Sequence, residues 1–524
     1  TERRLTVELT ANPDWYAVQA LPVVGNPTEE DALSWATAYY ANSLAAAIVK
    51  ANPRIKQVFD TWMAQGGSKE TLLSNLERNQ DLKNLLLEET PWISEATEES
   101  EQKRRIALLF DLNSMDNRLR TSVERLQELQ LSDGSWSWYR GMTGSRYITT
   151  QIVEMLARLQ HMNVTLDGKV APMYTRALGY LQKAVKEDYE TMKKLEKEGA
   201  TTLVPNSQVV HYLYVCALDK QAALLADKQV NVYMTDRLEN RSAEYSIGEK
   251  AMIGLIMQAS GRQRQAQELV QSIKEYTVST PQMGVYFDTP KAPYSWNNYR
   301  IPAQVAAMEA IQQIAPDADM LAGMKLWLLK QKQVQVWESS IATADAVYAF
   351  LNGSGNRLQV NGTMKAVAGN VEVRTPDDVL GYTRKTLTGT DTHVERVVVS
   401  KSGTGIGWGA VYAQYLEEMD KVLPAKGNGV SVAREWWMDG KQISRKTVLH
   451  AGDKMTVRLT VKADRDMDFI RVKDERAACM EPDTQLSGYR WSNGLGYYQV
   501  NRDASTEFFI DRMPKGTYTL EYTV

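Results

Sequence analysis

"RLTVELT", residues 4–10, sets Leu5, Val7 and Leu9 to one side and Thr6, Glu8 and Thr10 to the other, the two-residue period of a β-strand with one buried face. A strand needs a partner, yet helical spacing governs the chain from Thr28 to about Leu351, and strand-like alternation returns only after that. The economical solution is a split β domain, its first strand ahead of a large helical insertion and its remaining strands behind it.

Inside the insertion six helices begin alike, with a turn followed by a small or β-branched apolar run: near Thr28, Tyr147, Asn206, Ser246, Ile301 and Ile341. Between them lie more polar stretches such as "YLQKAVKEDYETMKKLEKEG" and "GRQRQAQELVQSIKEY", each with one apolar stripe and a solvated remainder. Alternation of apolar and amphipathic helices predicts an inner and an outer ring, an α/α toroid of about six hairpins, with a superhelical stack as its competitor.

After Leu351 short strands such as "VEVRT", "HVERVVVSK" and "GWGAVYAQY" are separated by Gly, Asn and Thr turns. A further unit starts after "LPAKGNG", residues 423–429. Its strands "MTVRLTVKA" and "TYTLEYTV" alternate as half-buried antiparallel strands do, which predicts a β-sandwich. The fold expected is a multidomain α + β chain: residues 1–12 and 353–422 form the split β domain, 13–352 the toroid and 423–524 the sandwich.

Composition narrows the function. The 61 basic and 64 acidic residues nearly balance, and no stretch gathers Lys and Arg as a phosphate-binding surface requires, so nucleic acid is not an expected partner. No apolar run reaches the roughly 20 residues that cross a bilayer. The 2 cysteines, Cys216 and Cys479, and 4 scattered histidines suggest neither a disulfide framework nor a metal centre. The start at Thr1, without Met or an apolar leader, reads as that of an excised or processed piece.

Three stretches invite a chemical reading. "QLSDGSWSWYRGMTGSRYITT", residues 130–150, and "GVYFDTPKAPYSWNNYR", residues 284–300, gather Trp136, Trp138, Tyr139, Tyr147 and Trp296 beside glycines. Such rings either clasp helix ends together or offer a ligand face on the toroid for glycans or isoprenoids. "DRDMDF" places Asp464, Asp466 and Asp468 at every second residue, as along the edge of one strand. The Gly-rich "KSGTGIGWG" lacks a following helix and reads as a hairpin, not a phosphate loop. With no G-x-S-x-G elbow and no paired-acid run in the helical part, no catalytic residue, cofactor or metal is assigned, and the chain reads as no enzyme.

Several stretches together resemble the C-terminal part of bacterial alpha-2-macroglobulins: "NPDWYAVQALP", "YYANSLA", "DGSWSWYRGMTGSRYITT", "QVWESSIATADAVYAFL", "GDKMTVRLTVKADRDMDFIRVKDERAACMEP", "SGYRW" and "FFIDRMPKGTYTLEY". The resemblance implies a thioester-type toroid inserted in a CUB-like β domain, followed by a terminal macroglobulin domain. In thioester-bearing members a C-x-E-Q motif opens the first inner helix just before a segment like Tyr39-Tyr40-Ala41-Asn42. Anchored there, the motif falls on Asp31, Ala32, Leu33 and Ser34, which offer neither the thiol nor the amide of an internal thioester. Thr28 is then expected to cap the helix, with Glu29, Glu30 and Asp31 facing its positive end. By resemblance, the parent protein is a thioester-less member in the periplasm or cell envelope, lipid-anchored if at all outside this segment. Its partners would be proteases, trapped sterically, and the other domains of its own chain, with envelope scaffolding as a further role.

Overall fold

The computed structural model describes residues 3–12, 14–65, 111–287, 300–332, 337, 339–352, 362–376, 380–415, 418, 421, 423, 429–444, 446–477 and 479–524. The chain divides into two compact units, one of residues 1–140 and 144–416, the other of 141–143 and 417–524.

The first strand, β1 (Arg3–Thr10), is the middle strand of a three-stranded antiparallel sheet, between β8 (Tyr382–Leu387) and β10 (Trp408–Tyr415). Its partners thus lie beyond the helical insertion. A second sheet, β7 (Val371–Arg374), β6 (Met364–Ala368) and β9 (Val397–Lys401), completes the layer, and Leu5, Val7 and Leu9 pack with Met364, Ala366 and Val373. The expected solvated face of β1 is not solvated. Thr6, Glu8 and Thr10 are buried as well, because a helix that periodicity did not single out, α1 (Asp14–Val24), lies against that side. Trp15 packs on Tyr382 and Tyr16 on Trp408, and Gln19 Nε2 donates to the Tyr382 hydroxyl at 3.2 Å. The Gly-rich stretch after Lys401 links β9 to β10 in a different sheet, so it is a crossover and not the expected hairpin.

Six helices form the inner ring: α2 (Ala32–Ala51), α5 (Arg146–His161), α7 (Ser207–Leu218), α10 (Ile247–Ala259), α12 (Arg300–Ile314) and α14 (Ser340–Leu351). Each packs on the next, and α14 packs on α2, so the ring closes; the superhelical stack is excluded. Five of the six start within a residue of where the sequence pattern places them, and α2 starts at Ala32 rather than near Thr28. The outer layer is built of α4 (Leu112–Leu129), α6 (Val170–Lys197), α9 (Lys228–Leu238), α11 (Gln263–Glu275) and α13 (Ala318–Gln331). α3 (Pro53–Gln65) follows α2 directly, and α8 (Lys220–Leu225) is a short helix after α7. The division of labour is physical: α11 buries Ala266, Leu269, Val270 and Ile273, a single stripe, whereas α2 is buried over most of its circumference.

The second unit is a sandwich of two four-stranded antiparallel sheets. One is ordered β12 (Lys441–Gln442), β11 (Val430–Met438), β13 (Thr456–Ala463), β18 (Gly516–Thr523); the other β14 (Met467–Glu475), β17 (Ser505–Met513), β16 (Leu495–Asn501), β15 (Gly488–Ser492). Val457 pairs with Tyr522 and Leu459 with Leu520 in register, and both pairs face Phe508 and Ile510 across the core. The aspartates of "DRDMDF" do not share a strand edge. β13 ends at Ala463, so Asp464 and Asp466 lie in the turn before β14, where Asp466 Oδ1 accepts the Lys515 N–H at 2.8 Å. Among the described residues no cluster of His, Cys, Asp and Glu could hold a metal.

Candidate functional site

The start of α2 is the first place to look for chemistry. Asp31, not Thr28, is the N-cap: its backbone is extended (φ −87°, ψ 160°) and its Oδ1 accepts the Ser34 N–H at 3.0 Å. The helix begins three residues later than the acid run suggested, because Asp31 is the residue whose carboxylate reaches a free N–H of the first turn. The Ser34 hydroxyl donates to the other oxygen, Oδ2, at 2.7 Å. Asp31 is 9% exposed, and Ala32 and Leu33 between them are buried. The Ala32 N–H donates to the Trp138 carbonyl at 2.8 Å, which ties this helix start to the loop before α5.

Carboxylate and hydroxyl at this spacing can share a proton but form no acyl bond spontaneously. An ester would have to expel water into water, whereas a thioester between thiol and carboxamide releases ammonia. The chain's 2 cysteines are Cys216, in α7, and Cys479, in the sandwich, so positions 31–34 themselves carry no thiol.

Beyond the cap, the segment Tyr39-Tyr40-Ala41-Asn42 is structural. The Tyr39 hydroxyl accepts the Asp167 N–H at 2.9 Å. Asn42 Nδ2 donates to Gly25 O at 2.7 Å and Ala38 O at 2.8 Å, while its Oδ1 accepts from Arg118 Nε at 3.0 Å. A Cβ on Gly25 would stand 2.9 Å from Asn42 Nδ2, so the turn before the helix needs glycine for the approach.

Trp136 (0% exposed) and Trp138 (6%) are buried, so neither indole offers an open face to a ligand. Tyr139 and Tyr147 are half-buried, and Trp296 lies outside the described residues. The rings serve helix ends instead. Trp136 Nε1 donates to Leu126 O in the last turn of α4 at 2.8 Å, and its backbone N–H donates at 2.8 Å to Thr149 Oγ1. Thr149 Oγ1 in turn donates to Ser145 O at 2.7 Å, and Ser145 caps α5. The same circuit recurs at the last hairpin: Trp337 Nε1 to Leu328 O at 2.8 Å, Trp337 N–H to Thr343 Oγ1 at 3.1 Å, Thr343 Oγ1 to Ser339 O at 2.8 Å, with Ser339 capping α14. The signal the two circuits share in sequence is Ser four residues before Thr; the Trp stands two residues before the Ser in one and nine before it in the other.

The second cluster, which sequence reading missed, sits among the inner helices. Arg158 of α5 pairs with Glu154 one turn before it at 2.6 Å and with Asp345 of α14, and His211 Nε2 of α7 meets Glu154. Glu309 of α12 accepts hydroxyl bonds from Tyr214 at 2.7 Å and Tyr348 at 3.1 Å. The Arg158 guanidinium lies 4.3 Å from the Tyr348 ring centre, and the Tyr40 hydroxyl of α2 is buried without a hydrogen bond. Burial alone would raise the Glu154 carboxyl, but Arg158 and His211 outweigh it and hold it down to about 2. Asp345 goes the other way: burial, with the charge of Glu154, pushes it up to about 6 against the pull of Arg158. Burial also raises Glu309. One guanidinium thus sustains one firmly ionised carboxylate, while burial raises the other two, an arrangement for cross-bracing helices and not for activating a nucleophile.

Comparison with known proteins agrees with this geometry. Residues 429–524 match the bacterial alpha-2-macroglobulin MG10 domain family. An alpha-2-macroglobulin homologue of Nostoc is 22% identical over 77% of the chain, which spans 22% of that relative's length. Native Escherichia coli alpha-2-macroglobulin, solved from domain MG7 to its C-terminus, is similar over 100% of this chain and 72% of that one, with TM-score 0.55 and 13% identity. Salmonella alpha-2-macroglobulin reacted with methylamine is similar over 99% of this chain and 29% of that one, with TM-score 0.55 and 14% identity. Residues 429–524 are thus an MG10-type domain, and the chain has the fold of the C-terminal region of bacterial alpha-2-macroglobulins.

Proposed function

We propose that this chain is the C-terminal part of a bacterial alpha-2-macroglobulin-like protein that lacks the internal thioester and contributes to non-covalent, steric capture of proteases. The observation that carries the reading is the pair Asp31 and Ser34, hydrogen-bonded to each other at the start of the first inner helix of an otherwise intact closed toroid. Alpha-2-macroglobulins inhibit proteases without being enzymes, and the E. coli protein is activated by elastase and by trypsin. The split sheet around β1 serves as the CUB-like domain of this arrangement. The compartment that suits the role is the periplasm or cell envelope; no helix of the described residues is long and apolar enough to cross a membrane.

The test uses the whole parent protein with trypsin or elastase. Steric capture predicts that the protease keeps its activity on a small peptide substrate, loses it on a large protein substrate, and separates from the inhibitor in denaturant. Cleavage of the parent without retention of the protease refutes capture and favours envelope scaffolding. A protease that stays attached in denaturant, or methylamine incorporated at residues 31–34, refutes the loss of thioester chemistry.

A further inference from the structure

The split β domain is open along one side. β1 lies over β6 and β8 over β7, so the two remaining strands, β10 and β9, bound that side as the edges of their sheets. Both edges turn a valine toward the core and leave it uncovered. Val411 stands opposite Val7 and Val399 opposite Ala366, yet Val411 is 46% and Val399 47% exposed where Val7 and Ala366 are 0%. On the outward face of β9, Val398 is 49% exposed. Among the described residues no strand pairs with the outer edge of β9. An apolar edge of this kind is a template for a further strand.

The hydrogen-bonding phase of β9 is fixed by its neighbour. The Ser402 N–H donates to Thr363 O at 3.0 Å, so Val398 and Ser400, which share its phase, bond inward to β6. Val397, Val399 and Lys401 therefore aim their N–H and C=O groups at the open edge. We propose that the occupant is a second copy of this chain, its β9 paired antiparallel with the first about a two-fold axis at Val398. In that register Val397 of each copy exchanges hydrogen bonds with Val399 of the other, which uses only groups that face the edge. Val398 meets Val398 in the non-bonded pair between them. Glu395, two residues ahead of the strand, comes beside Lys401 of the other copy, twice over. Lys401 Nζ rests on the carbonyls of Ser402, Gly403 and Thr404 at 3.2, 3.3 and 3.0 Å, which holds its charge at that end of the strand. Sliding the axis to Val397 or Val399 sets Glu395 against Val399 or Gly403 and loses both attractions, so charge selects the register and the self-partner. A two-fold axis normal to the sheet keeps both core faces on the same side. The two β7-β6-β9 sheets become one, Val399 is covered by Val397 of the other copy, and the two β10 edges are brought together over Val411.

Sedimentation velocity of this chain and of the parent protein at micromolar concentration tests the assignment, and a dimer is expected in both. Val398→Lys sets two ammonium groups on the axis and should leave a monomer, with circular dichroism unchanged because the side chain lies on the outward face. Glu395→Lys should weaken the dimer about tenfold, and Glu395→Asp much less. In a Cys479→Ser background, Val398→Cys should give a disulfide-linked dimer on mild oxidation, since residues of a non-bonded antiparallel pair stand about 4.5 Å apart at Cα, within disulfide reach. Ser400→Cys, displaced from the axis, should not. A monomer in either protein, which gives the edge to another strand of the parent or to none, would overturn the proposal. So would a dimer indifferent to Val398→Lys, or crosslinking through Ser400→Cys in place of Val398→Cys.

Discussion

The Ser34 hydroxyl points back at the Asp31 carboxylate, 2.7 Å away, across the first turn of the first inner helix. The pair closes the helix start on itself: one carboxylate oxygen takes the backbone N–H, the other the hydroxyl. Asp31→Ala should cost about 1 kcal/mol of stability, and Asp31→Asn less, since the amide oxygen still accepts from the backbone. Chemical denaturation of the three proteins measures it.

Removing one member of the central ion cluster should cost far more than replacing a cap. Arg158→Met leaves Glu154 buried beside His211 alone, and a loss of about 3–5 kcal/mol is expected. Glu154→Gln should be worse than Asp345→Asn, because Glu154 is the carboxylate held down by Arg158 and His211 while burial raises Asp345 and so weakens the hold of its ionised form. Equal losses in the two variants, measured by urea unfolding, would show that the charge is shared otherwise.

These two carboxyls also impose opposite pH dependences. Asp345, raised to about 6 in the fold, contributes stability that is fully present below the ordinary aspartate value of about 3.9 and is lost as pH rises through about 6. Glu154, lowered to about 2, contributes stability present above the ordinary glutamate value of about 4.3 and lost as pH falls through about 2. Thermal melts should therefore show Asp345→Asn removing a decline of stability between about pH 4 and 6 that the unaltered chain displays. Parallel curves over that interval would contradict the raised value.

The two tryptophan circuits should behave as equivalents. Trp136→Phe and Trp337→Phe each leave a carbonyl, of Leu126 or Leu328, without its indole donor, at about 1–3 kcal/mol apiece. Since the circuits lock different hairpins, the double variant should show additive losses. Trp136 and Trp138 variants should lower stability, as the loss of buried rings at helix ends does.

Much of the architecture was legible because it is written in periodicity. Alternation in Leu5, Val7 and Leu9 demanded distant partners, and six apolar starts demanded six inner helices; both requirements are local patterns that burial enforces. The helix of residues 14–24 escaped because it is apolar on the side that meets β1 as well as the side that meets the ring, so no single stripe marks it. The cap at Asp31 was misread as Thr28 because three consecutive acids all suit a helix N-terminus, and only backbone direction decides which one reaches the N–H groups.

By itself the sequence determined that the first strand would pair across a helical insertion, and that the start of the first inner helix holds no thiol to acylate. Both follow from which side chains exist and how often they recur. Only the tertiary structure decided that Trp136 is buried while Trp491 lies open, and that Arg158, Glu154, His211, Asp345 and Glu309 meet at all. Those residues come from helices as far apart in the chain as α5 and α14, and proximity of that kind is created by closing the ring, not by any spacing a linear pattern can carry.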